Sequence, residues 1–133
     1  MKLVCVPPDL TPQLPAQVWD YVDRAVGRVR LSDAAGIHHD VLAGDALVWL
    51  VVDHDDKIVG AVVTQLQMCR GDRLCVILAY GADDHARAAP LLAELEAYAR
   101  SEGCAAMRVY GRKGWTQRLP DYRITAIIMD KAL

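Results

Sequence analysis

Apolar positions along the chain switch between a strand-like and a helical period, and the switches mark out its elements. Leu3 to Val6 predicts a short opening strand, stopped by Pro7-Pro8, which cannot continue a ladder. Thr11 before Pro12 has the composition of a helix start, a hydroxyl cap followed by a ring that already holds the helical φ. Leu14, Val18, Val22, Ala25 and Val29 then recur at helical spacing as one apolar stripe. Ser32-Asp33 can cap a second, shorter helix with Ile37 and Val41 inward and Gly44 placed to end it.

A block of strands follows. Ala46 to Val52 is dense in Val, Leu and Trp, and Asp53-His54-Asp55-Asp56 has turn chemistry. Lys57 to Met68 returns as a half-exposed strand, with Leu66 and Met68 on one face and Gln65 and Gln67 on the other. Arg70-Gly71-Asp72 turns the chain into Arg73 to Tyr80, completing an antiparallel meander. The period then becomes helical at Leu91, Leu92, Leu95, Tyr98 and Ala99, closed by Gly103. Ala105 to Tyr110 alternates as a strand again, so strand, helix and strand imply a right-handed parallel crossover. A loop or short helix rich in Gly, Arg and Trp leads to a last predicted strand, Arg123 to Met129.

The totals fit one domain, residues 1–133, with a substantial core: 53% of the residues are hydrophobic and 24% charged, which excludes disorder. A net charge of −2 gives no global attraction to nucleic acid or anionic membrane, so any such preference must be local. The longest apolar run, Ala46 to Val52, is too short to span a bilayer, and Pro7-Pro8 follows Met1 too closely for a signal peptide. The expectation is a cytoplasmic protein without a membrane partner. The four cysteines at 5, 69, 75 and 104 form no Cys-x-x-Cys pair and read as reduced, packed thiols, although Cys69 and Cys75 can approach across a hairpin. Adjacent His38-His39 point about 100° apart on a helix, and Asp53 to Asp56 is turn composition, so no metal site is expected.

The element order, over nearly the whole chain, resembles the GNAT superfamily of acyl-CoA-dependent N-acyltransferases. Asp56-Lys57-Ile58-Val59-Gly60-Ala61 is similar to the hairpin those proteins carry into their third strand. Pro90 to Cys104 looks like their central helix and its exit, and Arg118-Leu119 through Tyr122 with the strand after it looks like their closing hairpin. The combination also resembles small GNAT-like proteins of phage and prophage origin. The resemblance implies an α/β (α+β) fold with a mixed, mostly antiparallel central sheet flanked by helices. Only the strands near Arg73–Tyr80 and Ala105–Tyr110 would be parallel and adjacent. It further implies acetyl-CoA as a small-molecule donor and an amine as acceptor. The strand bearing Leu78 and Tyr80 would pair with the pantetheine arm, and backbone amides around Ala86, Arg87 and Ala88 would hold the pyrophosphate with help from Arg87.

Three positions depart from the family pattern. Asp83 stands where the family carries Gln or Arg and Ala86 where it carries Gly, so Asp83 and Asp84 set two carboxylates beside the expected anion. The family's acid Tyr falls near Thr116, a poorer proton donor, which leaves Tyr110 and Tyr122 as candidate acids or as core-edge tyrosines with wet hydroxyls.

Five of the fifteen basic residues, Arg108, Arg112, Lys113, Arg118 and Arg123, fall within positions 108 to 123, interleaved with Tyr110, Trp115 and Tyr122. Three uses fit this composition. It can clamp the coenzyme's phosphates; it can bind a protein or nucleic-acid partner through Arg112, Lys113, Trp115 and Arg118 in a non-catalytic module; or it can be a solvated turn whose Trp plugs the core. A homo-oligomer is compatible with all three.

Overall fold

The computed structural model describes residues 1–29, 33–84 and 89–133. Five strands form one sheet in the order β1-β2-β3-β4-β5: Lys2–Cys5, Leu47–Val52, Ile58–Cys69, Asp72–Ala82 and Ala106–Val109. The first four are antiparallel neighbours; β5 lies parallel to β4. The mixed, mostly antiparallel sheet and its one parallel pair are as the sequence predicts. Helix α1 (Ala16–Val29) and helix α2 (Ala34–Leu42) supply one apolar layer, and helix α3 (Leu92–Ser101) lies in the connection from β4 to β5. No helix among the described residues is long and apolar enough to cross a membrane.

The sheet buries both faces, in two cores. On one side Val18, Tyr21, Val22 and Val26 of α1 join Ile37 and Val41 of α2 over Val48, Ala61, Val63 and Ala79. On the other, Leu91 and Leu95 pack over Trp49, Val51, Val62 and Ile77. The Trp49 indole, edge-on to the Tyr98 ring at 5.0 Å, donates its N–H to the Thr64 hydroxyl at 2.9 Å, so these two buried polar groups satisfy each other. Of the predicted helical face, Leu91 and Leu95 are buried and Leu92 is half-buried.

Three sequence expectations are corrected. Thr11 does not cap the long helix. It is buried in a 3-10 turn, Pro8–Gln13, where its hydroxyl donates to the Pro8 carbonyl at 2.8 Å. Leu14, preceding a proline, is held extended (φ −63°, ψ 138°), and α1 starts only beyond Pro15, whose carbonyl accepts the Val18 N–H at 3.0 Å. On β3 the exposed side carries Leu66 and Met68, while Gln65 and Gln67 are half-buried. Gln65 donates to the Asp45 carbonyl and Gln67 to the Gln65 side chain, which satisfies the amides where they lie. The third correction is the predicted last strand. Residues 123–129 adopt no strand, and every residue from Arg123 to Leu133 is exposed.

Candidate active site at the opening between β4 and β5

The parallel pairing of β4 with β5 runs from Leu74↔Ala106 to Ile77↔Val109 and stops there. At the next residue β4 has a bulge against β3. Val63 pairs with Ala79 and Thr64 with Ile77, so Leu78 has no partner in the register. A bulge leaves one residue unpaired and bends its strand. Leu78 and Ala79 therefore both pack against the α1 and α2 core, whereas Ile77 and Tyr80 pack on the α3 side. Beyond the bulge β4 continues to Ala82, bonded to β3 on one side and, among the described strands, without a neighbour on the other. Sheet backbone turned toward a gap offers N–H and C=O groups to an extended ligand.

The end of β4 is tightly held. A Cβ on Gly81 would lie 2.4 Å from the Tyr21 carbonyl oxygen, so α1 crosses β4 at a distance only glycine permits. A Cβ on Gly60 would meet the Gly81 carbonyl at 2.7 Å, on the neighbouring strand. Just past this contact the Tyr21 hydroxyl donates to Asp83 Oδ2 at 2.8 Å, and the Asp83 N–H donates to the Val59 carbonyl at 2.9 Å. Gln17 adds an amide that donates to the Ile58 carbonyl at 3.0 Å. Burial first, and the Asp83 carboxylate second, push the Tyr21 hydroxyl above its ordinary range. The carboxylate that breaks the family pattern is thus engaged by a tyrosine of α1. Ala86, Arg87 and Ala88 lie outside the described residues.

Across the opening, a one-turn helix α4 (Trp115–Arg118) brings the Trp115 indole edge-on to the Tyr80 ring, centroids 5.5 Å apart. Trp115 also folds back over Gly111, where a Cβ would meet the indole at 2.9 Å, and the Arg118 guanidinium sits over the indole at 5.8 Å. Burial pushes the Tyr80 hydroxyl up to about 12. Arg112 and Lys113 are exposed, and their carbonyls accept the Trp115 and Thr116 N–H groups. The Thr116 hydroxyl donates to the Lys113 carbonyl at 2.8 Å, which commits it to the turn.

The two candidate acids are separated. Tyr110 follows directly on the last paired residue of β5 and is 39% exposed. Tyr122 is half-buried against α3, where its hydroxyl donates to Glu96 Oε1 at 3.2 Å. Burial and the Glu96 charge raise its pKa. Tyr21, Gln17 and the Leu78 bulge were missed by sequence reasoning. Gly81 inside a strand was the available signal, because such a glycine marks a close backbone approach.

The histidine and aspartate clusters are occupied locally. His38 Nε2 lies 2.7 Å from Asp23 Oδ1 with its ring on Trp19, and Asp53 Oδ1 accepts the Asp55 and Lys57 N–H groups. Cys69 lies opposite Asp72 and Cys75 opposite Leu66, so the hairpin does not set these thiols across from each other. No group of His, Cys, Asp or Glu among the described residues could hold a metal ion.

No protein-family model matches the chain, and no curated protein matches it by sequence. Solved structures do. One described as a probable acetyltransferase superposes with a TM-score of 0.68 at 13% identity, over 100% of this chain and 97% of that one. An acetyltransferase from Trypanosoma brucei gives 0.63 at 16% identity, over 99% of both chains. An aminoglycoside acetyltransferase from an uncultured soil metagenomic sample, solved with sisomicin, gives 0.65 at 12% identity, over 99% of this chain and 95% of that one. The fold is GNAT-like. At these identities the likeness concerns architecture, and within the GNAT-like fold this chain carries its own side chains at the opening.

Proposed function

We propose that the protein is an N-acyltransferase, a single GNAT-like domain over residues 1–133, that moves an acetyl group from acetyl-CoA to an amine in the cytoplasm. The observation that carries this is the Leu78 bulge together with the end of β4–β5 pairing at Ile77 and Val109. An extended pantetheine arm has the amide spacing to bond the backbone of Leu78 and Tyr80, where β4, among the described strands, has no neighbour on the side away from β3. Amides of Ala86 to Ala88, before α3, hold the pyrophosphate, and Arg87 adds charge. Asp83, bonded to Tyr21, is tolerated there because its carboxylate is already engaged. That the solved proteins of this architecture include acetyltransferases supports the same reading.

Acetyl-CoA supplies the thioester. The acceptor nitrogen attacks its carbonyl carbon, the C–N bond forms, the C–S bond breaks, and the amine proton leaves to water. Tyr110 gives its hydroxyl proton to the departing thiolate; Tyr122 is the weaker candidate because its hydroxyl is turned to Glu96. The Trp115 indole against Tyr80 closes one side of the opening. The test follows amide hydrogen exchange during an acetyl-CoA titration. Protection should rise at Leu78 to Ala82, and Tyr110→Phe should lower turnover roughly 10²-fold or more while leaving that protection unchanged. Protection confined to other segments would remove the assignment.

A second reading keeps one observation of its own, the exposure of Arg112 and Lys113. In it the chain is a non-catalytic module, and the loop from 108 to 123 binds nucleic acid or protein. Binding that weakens steeply with salt and is abolished by Arg112→Ala with Lys113→Ala, without coenzyme binding, would select it.

A further inference from the structure

The two edges of the sheet are finished differently. At the β1 edge the Leu3 N–H donates to Glu94 Oε2 of α3 at 3.1 Å. At the other edge, β5 pairs with β4 alone, and among the described residues no backbone group bonds its outer side. An open edge presents a row of unpaired donors and acceptors and is a template for another strand.

The same chain carries a segment with the composition of a strand and no sheet to join it to. Ile124, Thr125, Ala126, Ile127, Ile128 and Met129 have the β-branched, uncharged, proline-free composition of a buried strand. Yet Ile124 is 67% exposed, Ile127 80%, Ile128 58% and Met129 88%. The segment makes no backbone hydrogen bond to a described residue. It leaves the body after Tyr122, which is tied to Glu96 of α3, and does not lie along its own β5.

We propose that residues 123–129 pair with the outer edge of β5 in a second copy of this chain, so that two copies exchange these strands. Each copy holds the open β5 edge and one unpaired segment of strand composition. A two-fold exchange fills both edges and leaves no surplus of either, which closes the assembly at two. A partner of another kind would cover one feature and leave the other bare. The exposed side chains and strand backbone of two copies bury on the order of 1,000 Å² in this arrangement, the lower range for a specific interface. The exchange is independent of whether the opening binds acetyl-CoA.

The test measures mass by light scattering at micromolar concentration, with amide hydrogen exchange read at residues 106–109 and 124–128. The intact protein should have twice the chain mass. Ile127→Asp, at an exposed position, should have the mass of one chain and keep its circular dichroism. Exchange at 106–109 should be at least tenfold faster in that variant. Leu42→Asp, at another exposed apolar position, should leave the dimer intact. A synthetic peptide of residues 122–131 added in excess should dissociate the intact dimer, an arm that needs no variant to fold. A single-chain mass for the intact protein overturns the proposal. So does a dimer that survives Ile127→Asp, or one whose loss leaves exchange at 106–109 unchanged.

Discussion

The strands β2 to β4 and the chain from β5 onward are built by opposite rules. In the first region each strand has neighbours on both sides for at least part of its length, and Val48, Val51, Val62, Val63 and Val76 are fully buried between two helical layers. In the second, a four-residue strand is followed by a single helical turn, by the buried Leu119 and half-buried Tyr122, and then by eleven residues that are exposed throughout. The lesson is that the first region satisfies itself. The second presents the β5 edge and the segment at 123–129, and beside them the β4 backbone past Leu78 lacks, among the described strands, a neighbour on one side. Stability and function should therefore separate along the chain.

The largest effect should come from the core. Leu95→Ala, at a position 1% exposed, should cost about 2–5 kcal/mol in denaturant unfolding. In the single-chain Ile127→Asp background, Ile124→Ala should cost less than about 0.5 kcal/mol, and a similar loss at both sites would erase the contrast. Next comes the crossing of α1 over β4. Gly81→Ala forces a methyl onto the Tyr21 carbonyl and should destabilise by about 1–3 kcal/mol or more. Tyr21→Phe removes the bond to Asp83 and should cost about 0.5–1.5 kcal/mol, with faster exchange at the end of β4.

The smallest effect near neutral pH is a titration. Burial raises Cys75 from 9.0 to about 11, and Tyr80 and Tyr98 from 10.0 to about 12. In that window the unfolded chain releases its protons first and the folded chain keeps them, so stability is full below pH 9 and is lost as pH rises toward 12. Tyr98→Phe should flatten the upper part of that fall; an unaltered slope would mean Tyr98 contributes nothing to it.

The architecture was legible because it rests on long periodic segments. The valine-rich strands and the Leu91–Leu95 face left few arrangements, and the helix between β4 and β5 dictated the parallel pair. What was misread depended on local competition or on tertiary context. Pro15 overrode the Thr11 signal, and two glutamine amides found partners that pulled Gln65 and Gln67 inward. The segment at 123–129 has strand composition but does not pair with the β5 edge of its own chain, and composition alone does not say which edge a strand joins. At the site, Trp115 and Arg118 were legible as part of an unusual basic and aromatic segment, whereas Asp83 looked like an obstacle because its tyrosine partner is sixty-two positions away. The bulge at Leu78 has no local signal, since it arises from register between two strands.

The central claim is that the opening between β4 and β5 takes an acyl-CoA, and calorimetric titration of the intact protein with acetyl-CoA and with CoA tests it most directly. The account predicts saturable one-site binding of both, with a dissociation constant in the micromolar range, changed little or modestly tightened by Asp83→Asn with Asp84→Asn. No binding of either at millimolar concentration would contradict it.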